Sequence, residues 1–154
     1  LEHRIGGLEK ENETGNVSYD PENHDLMVQL RAAKVAGIAA DIPELEVDDP
    51  DGAETLVIGW GSTYGAIGAA ARRVRASGRK VATAHLRYLN PFPRNTGDVV
   101  SAYDKVLVPE INLGHLRMLL RARYLVNAVG YNKVRGRPFR AAELAEAITD
   151  LVDS

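Results

Sequence analysis

A chain of 154 residues is the size of one compact domain with its own core, which leaves no room for a multidomain enzyme. Apolar residues make up 45% and charged residues 26%, an ordinary soluble composition, and no apolar run approaches the ~18 residues of a membrane span. With no cysteine, the chain offers no disulfide, thiolate nucleophile, thiolate zinc site or cysteine-held iron–sulfur cluster, and a net charge of -2 gives no general reason to expect nucleic acid or a membrane as partner.

Residues 1–20 mix Gly6-Gly7, Asn12, Gly15 and Asn16 with charges and no sustained period, which predicts an irregular lead-in. The opening Leu1-Glu2-His3-Arg4-Ile5-Gly6-Gly7 has no methionine and no signal pattern, and reads as a cut inside a longer polypeptide. Asp20 as N-cap and Pro21 at the first helical position open a helix to about Ile42, with Leu26, Leu30, Ala33 and Gly37 on one face. Pro43 stops it, and the acidic segment around Pro50 and Gly52 reads as a connection.

Thr55 to Trp60 is a short apolar run, the pattern of a central strand covered on both faces. A helix follows with Ala66, Ile67, Ala70, Ala71 and Val74 inward, then a strand over Lys80–Leu86, together a βαβ unit. Thr96 caps a short helix carrying Val99, Val100 and Tyr103, and Lys105–Pro109 is a third strand. Leu113, Leu116, Leu119 and Leu120 mark another helix, Tyr124–Val129 a fourth strand, and Ala141–Val152 a last amphipathic helix. Strict alternation predicts an α/β fold, a three-layer doubly wound and mostly parallel sheet of about five strands.

The best local site is the strand-to-helix turn Gly59-Trp60-Gly61-Ser62-Thr63-Tyr64-Gly65, where free N–H groups and a helix dipole suit an anion. Its spacing is not the dinucleotide fingerprint, no Walker lysine follows, and Ser62 does not stand in a nucleophile elbow. A structural turn capped by Ser62 or Thr63 is the plainer reading. Ser62 with His85 as base would make a hydrolase, although a lone histidine at a strand end is more often a structural hydrogen-bonder. His3, His24, His85 and His115 show no metal-ligand spacing, and the acids from Glu44 to Glu54 lack a calcium-loop pattern, so no metal is expected. Arg117, Arg121, Arg123, Lys133, Arg135, Arg137 and Arg140 form a basic end that is either a solvated face or a dock for an acidic neighbour. Tyr131 and Phe139 beside these bases could hold a phosphate-bearing ligand or RNA, and an interdomain or subunit contact is the stronger reading.

Gly61-Ser62-Thr63-Tyr64-Gly65-Ala66-Ile67 and His85-Leu86-Arg87-Tyr88-Leu89-Asn90-Pro91-Phe92-Pro93 closely resemble the C-terminal domain of the alpha subunit of 2-oxoacid:ferredoxin oxidoreductases, best the 2-oxoglutarate type. Val108-Pro109-Glu110-Ile111-Asn112-Leu113-Gly114, Arg123-Tyr124 and Tyr131-Asn132-Lys133-Val134 add to the match. Gly6-Gly7-Leu8-Glu9 with Thr14-Gly15 is similar to the segment leaving the family's pyrimidine-binding domain.

The resemblance implies a transketolase-C-terminal-like domain over 21–154 after a linker over 1–20. It implies a cytoplasmic complex of alpha and beta subunits that oxidatively decarboxylates a 2-oxoacid on thiamine diphosphate, forms an acyl-coenzyme A and reduces ferredoxin. The family's thiamine, magnesium and iron–sulfur residues lie in other domains or the partner subunit, so no catalytic, cofactor or metal residue is assigned here. This chain is then a non-catalytic assembly domain, inactive alone, with Gly61, Ser62, Thr63, His85, Arg87, Asn90 and Phe92 as candidate interface or anion-contacting residues. The alternative is a free-standing anion- or nucleotide-binding regulatory module using the Gly61–Gly65 turn.

Overall fold

The structure, a computed structural model, describes residues 6–50 and 52–154. The start of the expected lead-in, residues 1–5, and Asp51 of the acidic segment lie outside the described residues. The chain divides into two compact units after Ile42.

In the first unit, Lys10 and Val17 form an isolated antiparallel bridge around a turn. Helix α1 (Pro21–Gly37) starts as its residues dictate: Asp20 is extended, its carboxylate accepts from the Glu22 N–H, and Pro21 occupies the first turn. A 3-10 turn over Ile38–Ala40 follows. The expected apolar face is not buried, since α1 has no buried residue. Polar side chains fasten the lead-in to it instead. Asn23 accepts from the Asn12 N–H and donates to the Lys10 carbonyl, while Glu9 takes a two-pronged bond from Arg31 and one from His24. Arg31 is the largest cause holding the Glu9 carboxyl down to about 2.

The second unit is a five-stranded sheet in the order β1-β3-β2-β4-β5. Its strands are β1 (Val47–Asp48), β2 (Thr55–Trp60), β3 (Ala82–Leu86), β4 (Lys105–Glu110) and β5 (Ala128–Asn132). All neighbours are parallel except β1, which runs antiparallel to β3. The helices are α2 (Tyr64–Ala76), α3 (Thr96–Ser101), α4 (His115–Tyr124) and α5 (Ala141–Val152). β2 is central, and alternate residues feed two cores. Leu56 and Ile58 pack with Leu86, Val106, Val108, Val100, Leu116 and Leu120 beneath α3 and α4. Val57 packs with Leu107, Ile67, Ala70, Val74, Leu144 and Ile148 beneath α2 and α5. The chain moves outward from β2 in both directions, so crossovers of one hand place α2 and α4 on opposite faces.

Further local expectations differ from what is found, among them Leu113, which lies ahead of α4 and is exposed, and Leu119, which is exposed on it. The fourth strand in sequence was expected over Tyr124–Val129, but β5 begins at Ala128, because Tyr124 completes the inward line of Leu116 and Leu120 on α4 and packs against Phe92 at 6.0 Å between ring centroids. Thr96 is the first residue of α3 rather than its cap, and its hydroxyl donates to the Pro93 carbonyl. The acidic connection contains β1, anchored where Arg75 of α2 bonds Asp48 at 2.7 Å and where the Tyr103 hydroxyl donates to Asp49. Burial, then Asp49, pushes the Tyr103 phenol up to about 12.

Gly59 sets the fit between β2 and α2, since a Cβ there would lie 2.2 Å from Ile67 Cδ1 and 2.6 Å from Thr63 Oγ1. Gly59→Ala is expected to destabilise the domain by about 1–3 kcal/mol through overpacking. Urea unfolding measures this, and an unchanged midpoint would show that the β2–α2 contact is loose.

Candidate functional site

In a doubly wound sheet, ligands collect outside the carboxyl ends of the strands where the chain order reverses, here between β2 and β4. That point is filled by the protein itself. Glu110, the last residue of β4, is fully buried and accepts four N–H bonds: the Trp60 indole at 3.3 Å, the Asn112 side chain at 3.1 Å, and the backbone N–H groups of Leu116 at 2.8 Å and Arg117 at 3.1 Å. The last two are free donors in the first turn of α4, whose dipole favours a negative group. Asn112 folds the loop by accepting from the N–H groups of Gly114 and His115, and Asn132 at the end of β5 donates to the Asn112 carbonyl. One side chain thus joins the ends of β2 and β4 to the start of α4.

The turn after β2 is closed on itself in the same way. Gly61 takes the left-handed conformation at φ 58° that a side chain disfavours. The Thr63 hydroxyl is buried, donates to the Trp60 carbonyl at 2.8 Å and accepts from the Trp60 N–H at 3.2 Å. Ser62 is exposed, and no hydrogen bond joins it to His85, so the geometry does not assemble a serine–histidine pair.

His85, Arg87 and Tyr64 do come together. They line a groove of about 910 Å³ between α2 and the β1–β3 edge, with Gly65, Gly68 and Arg72 on the helix wall and Glu44, Glu46 and Asp48 on the other. The His85 ring stands edge-on to Tyr64 at 4.9 Å, and its Nδ1 is buried without a partner among the described residues. Burial first, and the Arg87 charge second, lower the His85 pKa from its ordinary 6.5, against a hydrogen bond with the Gly61 backbone. Arg72 is the groove residue that sequence reasoning missed; only the packing of α2 over β3 shows it.

Asn90 is exposed, but Phe92 is 4% exposed and belongs to the core beneath α3 and α4, with the Arg123 guanidinium 5.6 Å above its ring. Its burial within the domain leaves Arg87, Tyr88 and Asn90 as the part of that loop open to a neighbour. Tyr131 and Phe139 likewise pack on each other at 5.5 Å against the core beneath α2 and α5, and Lys133 above Phe139 pairs with Glu143.

The family profile described as pyruvate:ferredoxin oxidoreductase core domain II matches residues 53–124. The chain is 59% identical over 149 residues to the 2-oxoglutarate oxidoreductase subunit KorA of Mycobacterium tuberculosis, covering 96% of this chain and 22% of the relative. The 2-oxoglutarate:ferredoxin oxidoreductase of Magnetococcus marinus, solved with 2-oxoglutarate, coenzyme A and succinyl-CoA bound, superposes with a TM-score of 0.86 at 31% identity over 98% of this chain and 27% of that one. A split-gene transketolase shares the fold, with a TM-score of 0.52 at 17% identity over 70% of this chain and 41% of that one. The chain spans about a quarter of the length of the curated relatives it matches.

Glu110→Gln keeps the size of the side chain but removes its charge and mismatches at least one donor, at an expected cost of about 1–3 kcal/mol. Chemical denaturation should show this as a lowered midpoint with an unchanged slope, whereas wild-type stability in the variant would remove Glu110 from its place as the clasp. For His85, the unfolded chain holds the proton more tightly than the folded one, so stability is fully present above 6.5 and falls as pH drops from 6.5 toward the lowered folded value. The His85 ring signals in an NMR titration should move at a pH below 6.5, and Arg87→Gln should bring the midpoint back up. A midpoint unaffected by Arg87→Gln would show that the two groups do not interact.

Proposed function

As the chain belongs to the alpha-subunit family of 2-oxoacid:ferredoxin oxidoreductases, we propose that it is the non-catalytic assembly domain of such an enzyme, one that takes 2-oxoglutarate. In this reading the intact complex oxidatively decarboxylates the 2-oxoacid, transfers the acyl group to coenzyme A and delivers electrons to ferredoxin. The domain holds its neighbours, the remainder of the alpha subunit and the beta subunit, in register around the reacting centre. Residues 1–20 lead in from a pyrimidine-binding domain, and 21–154 serve as the assembly domain in a cytoplasmic complex. Among the described residues no helix is long and apolar enough to cross a membrane.

The observation that carries this reading is the clasp at the switch point. Where related sheets leave a crevice, Trp60 and the Glu110 carboxylate occupy it, and a buried carboxylate opposes a diphosphate placed there. The chain's residues therefore do not fit thiamine diphosphate with its magnesium, and without cysteine they offer no thiolate to an iron–sulfur cluster. These groups belong, in the proposal, to other domains or the partner subunit. The groove beside His85 and Arg87 and the open Asn90 are assigned to contact with neighbouring polypeptide.

The test is to co-express the full-length alpha subunit with its beta partner and follow 2-oxoglutarate-dependent, coenzyme A-dependent ferredoxin reduction, with the 154-residue chain assayed in parallel. Turnover by the complex and none by the chain alone is the expected result. Turnover or tight thiamine diphosphate binding by the chain alone would overturn it.

A further inference from the structure

Helix α4 is apolar on both sides. Its inner line, Leu116 and Leu120, is buried beneath the sheet. Its outer side carries Met118 at 55% exposure, Leu119 at 49% and, at the C-cap, Leu125 at 90%, with exposed Ala122 between them. Residues 118, 122 and 125 fall on one outward line of the helix. An exposed apolar line on the outer side of a helix whose inner line is already buried marks a surface that another protein can cover. Leu125 also sits at φ 56°, a left-handed position that costs a branched side chain about 1–2 kcal/mol, and its exposed chain adds nothing to the domain's own packing.

The charged residues on α4 itself and in the chain that follows it are of one sign. Between Ile111 and Ala142 every charged residue is basic, and all but Lys133 are arginine, the base enriched at protein interfaces. Arg121 flanks the ridge on the β5 side, held there by bonds to the Asn127 side chain and the Ala128 carbonyl. Arg123 flanks it on the other, over the rings of Phe92 and Tyr124. Lys133 is already paired with Glu143, whereas exposed Arg135 and Arg137 have no hydrogen-bond partner among the described residues.

We propose that the outward face of α4, between Arg121 and Arg123, docks an acidic polypeptide surface of the same enzyme, in which Leu125 and Met118 are the apolar anchors. This rests on the reading that the domain works inside a larger assembly, and the 22% share of the KorA relative that it spans leaves ample polypeptide to supply the surface. The apolar ridge favours protein over nucleic acid, because it presents no aromatic ring for base stacking. The preset arginines favour protein over a lipid surface, where long basic side chains reach freely toward headgroups. Hydrophobic anchors flanked by two arginines give both affinity and orientation.

The test uses the full-length alpha subunit purified with its beta partner. A photo-crosslinking phenylalanine analogue replaces Leu125, or in a second sample Met118; both side chains are exposed, so folding is preserved and is checked by thermal melting. Irradiation followed by peptide mass spectrometry should yield a crosslink to a segment outside this chain with an excess of Asp and Glu. Arg121→Glu combined with Arg123→Glu should lower the yield at least tenfold. Crosslinks confined to the domain, or to a segment without acidic excess, overturn the proposal. So does binding of the complex through this face to anionic lipid vesicles or to a DNA duplex at physiological salt. Ferredoxin reduction is assayed on the same sample: a crosslink without turnover defeats the functional reading and leaves the docking face standing, and turnover without a crosslink does the reverse.

Discussion

The second unit depends on one buried carboxylate. Glu110 sits where four N–H donors from β2, the following loop and α4 converge, and among the described residues no cationic side chain forms a salt bridge with it. Its charge is held by hydrogen bonds and by the start of α4, an arrangement that tolerates burial because every donor is aimed before the charge arrives. The consequence is geometric. The ends of β2 and β4 cannot separate without stranding that charge, so the crevice that a doubly wound sheet ordinarily leaves for a ligand is held shut. A domain with its switch point closed in this way is suited to bearing load between neighbours.

The two borders of the sheet differ in charge, the β1 border mixing its acids with Arg72, Arg75 and Arg87 and the β5 border being mainly basic. β1, with Glu46, Asp48 and Asp49 around it, forms one border, and β5, with Arg121 and the 133–140 loop, forms the other. Two copies joined acidic edge to basic edge would make a heterologous contact, which closes into a ring or runs on as an open filament according to its rotation. A domain with unlike borders is suited to two unlike neighbours, one meeting each border, and the charges then help fix which way round it sits.

Much of this was legible in the sequence because apolar spacing reports burial directly. Thr55–Trp60, the stripe from Ile67 to Val74 and the final helix were each marked by residues that pack where their period says. The failures share a cause in contacts distant along the chain. β1 is two residues long, and its place depends on Arg75 and on pairing with β3. Tyr124 reads equally as the start of a strand or the end of a helix until Phe92 is placed beneath it. Phe92 itself, in a loop rich in proline, looks like a surface contact and is core. Glu110 carried a faint signal, an acid closing a buried apolar strand, but its meaning rests on Trp60, fifty residues earlier. The resemblance supplied the family and the fold it implies, and could not supply these contacts.

The two kinds of interior polar group divide the work. Glu110 is fully satisfied, and satisfaction makes its loop rigid. His85 is not: Nδ1 is buried with no partner, in a groove whose Arg72, Arg87 and Glu44 also lack side-chain hydrogen bonds among the described residues. Unsatisfied groups at the mouth of a groove are tolerable only while water reaches them or a neighbour completes them. The rigid clasp and the incomplete groove therefore lie at the same end of the sheet for a physical reason. A neighbouring chain that finishes the bonds at His85 and Arg87 is held against a strand end that the clasp does not allow to move.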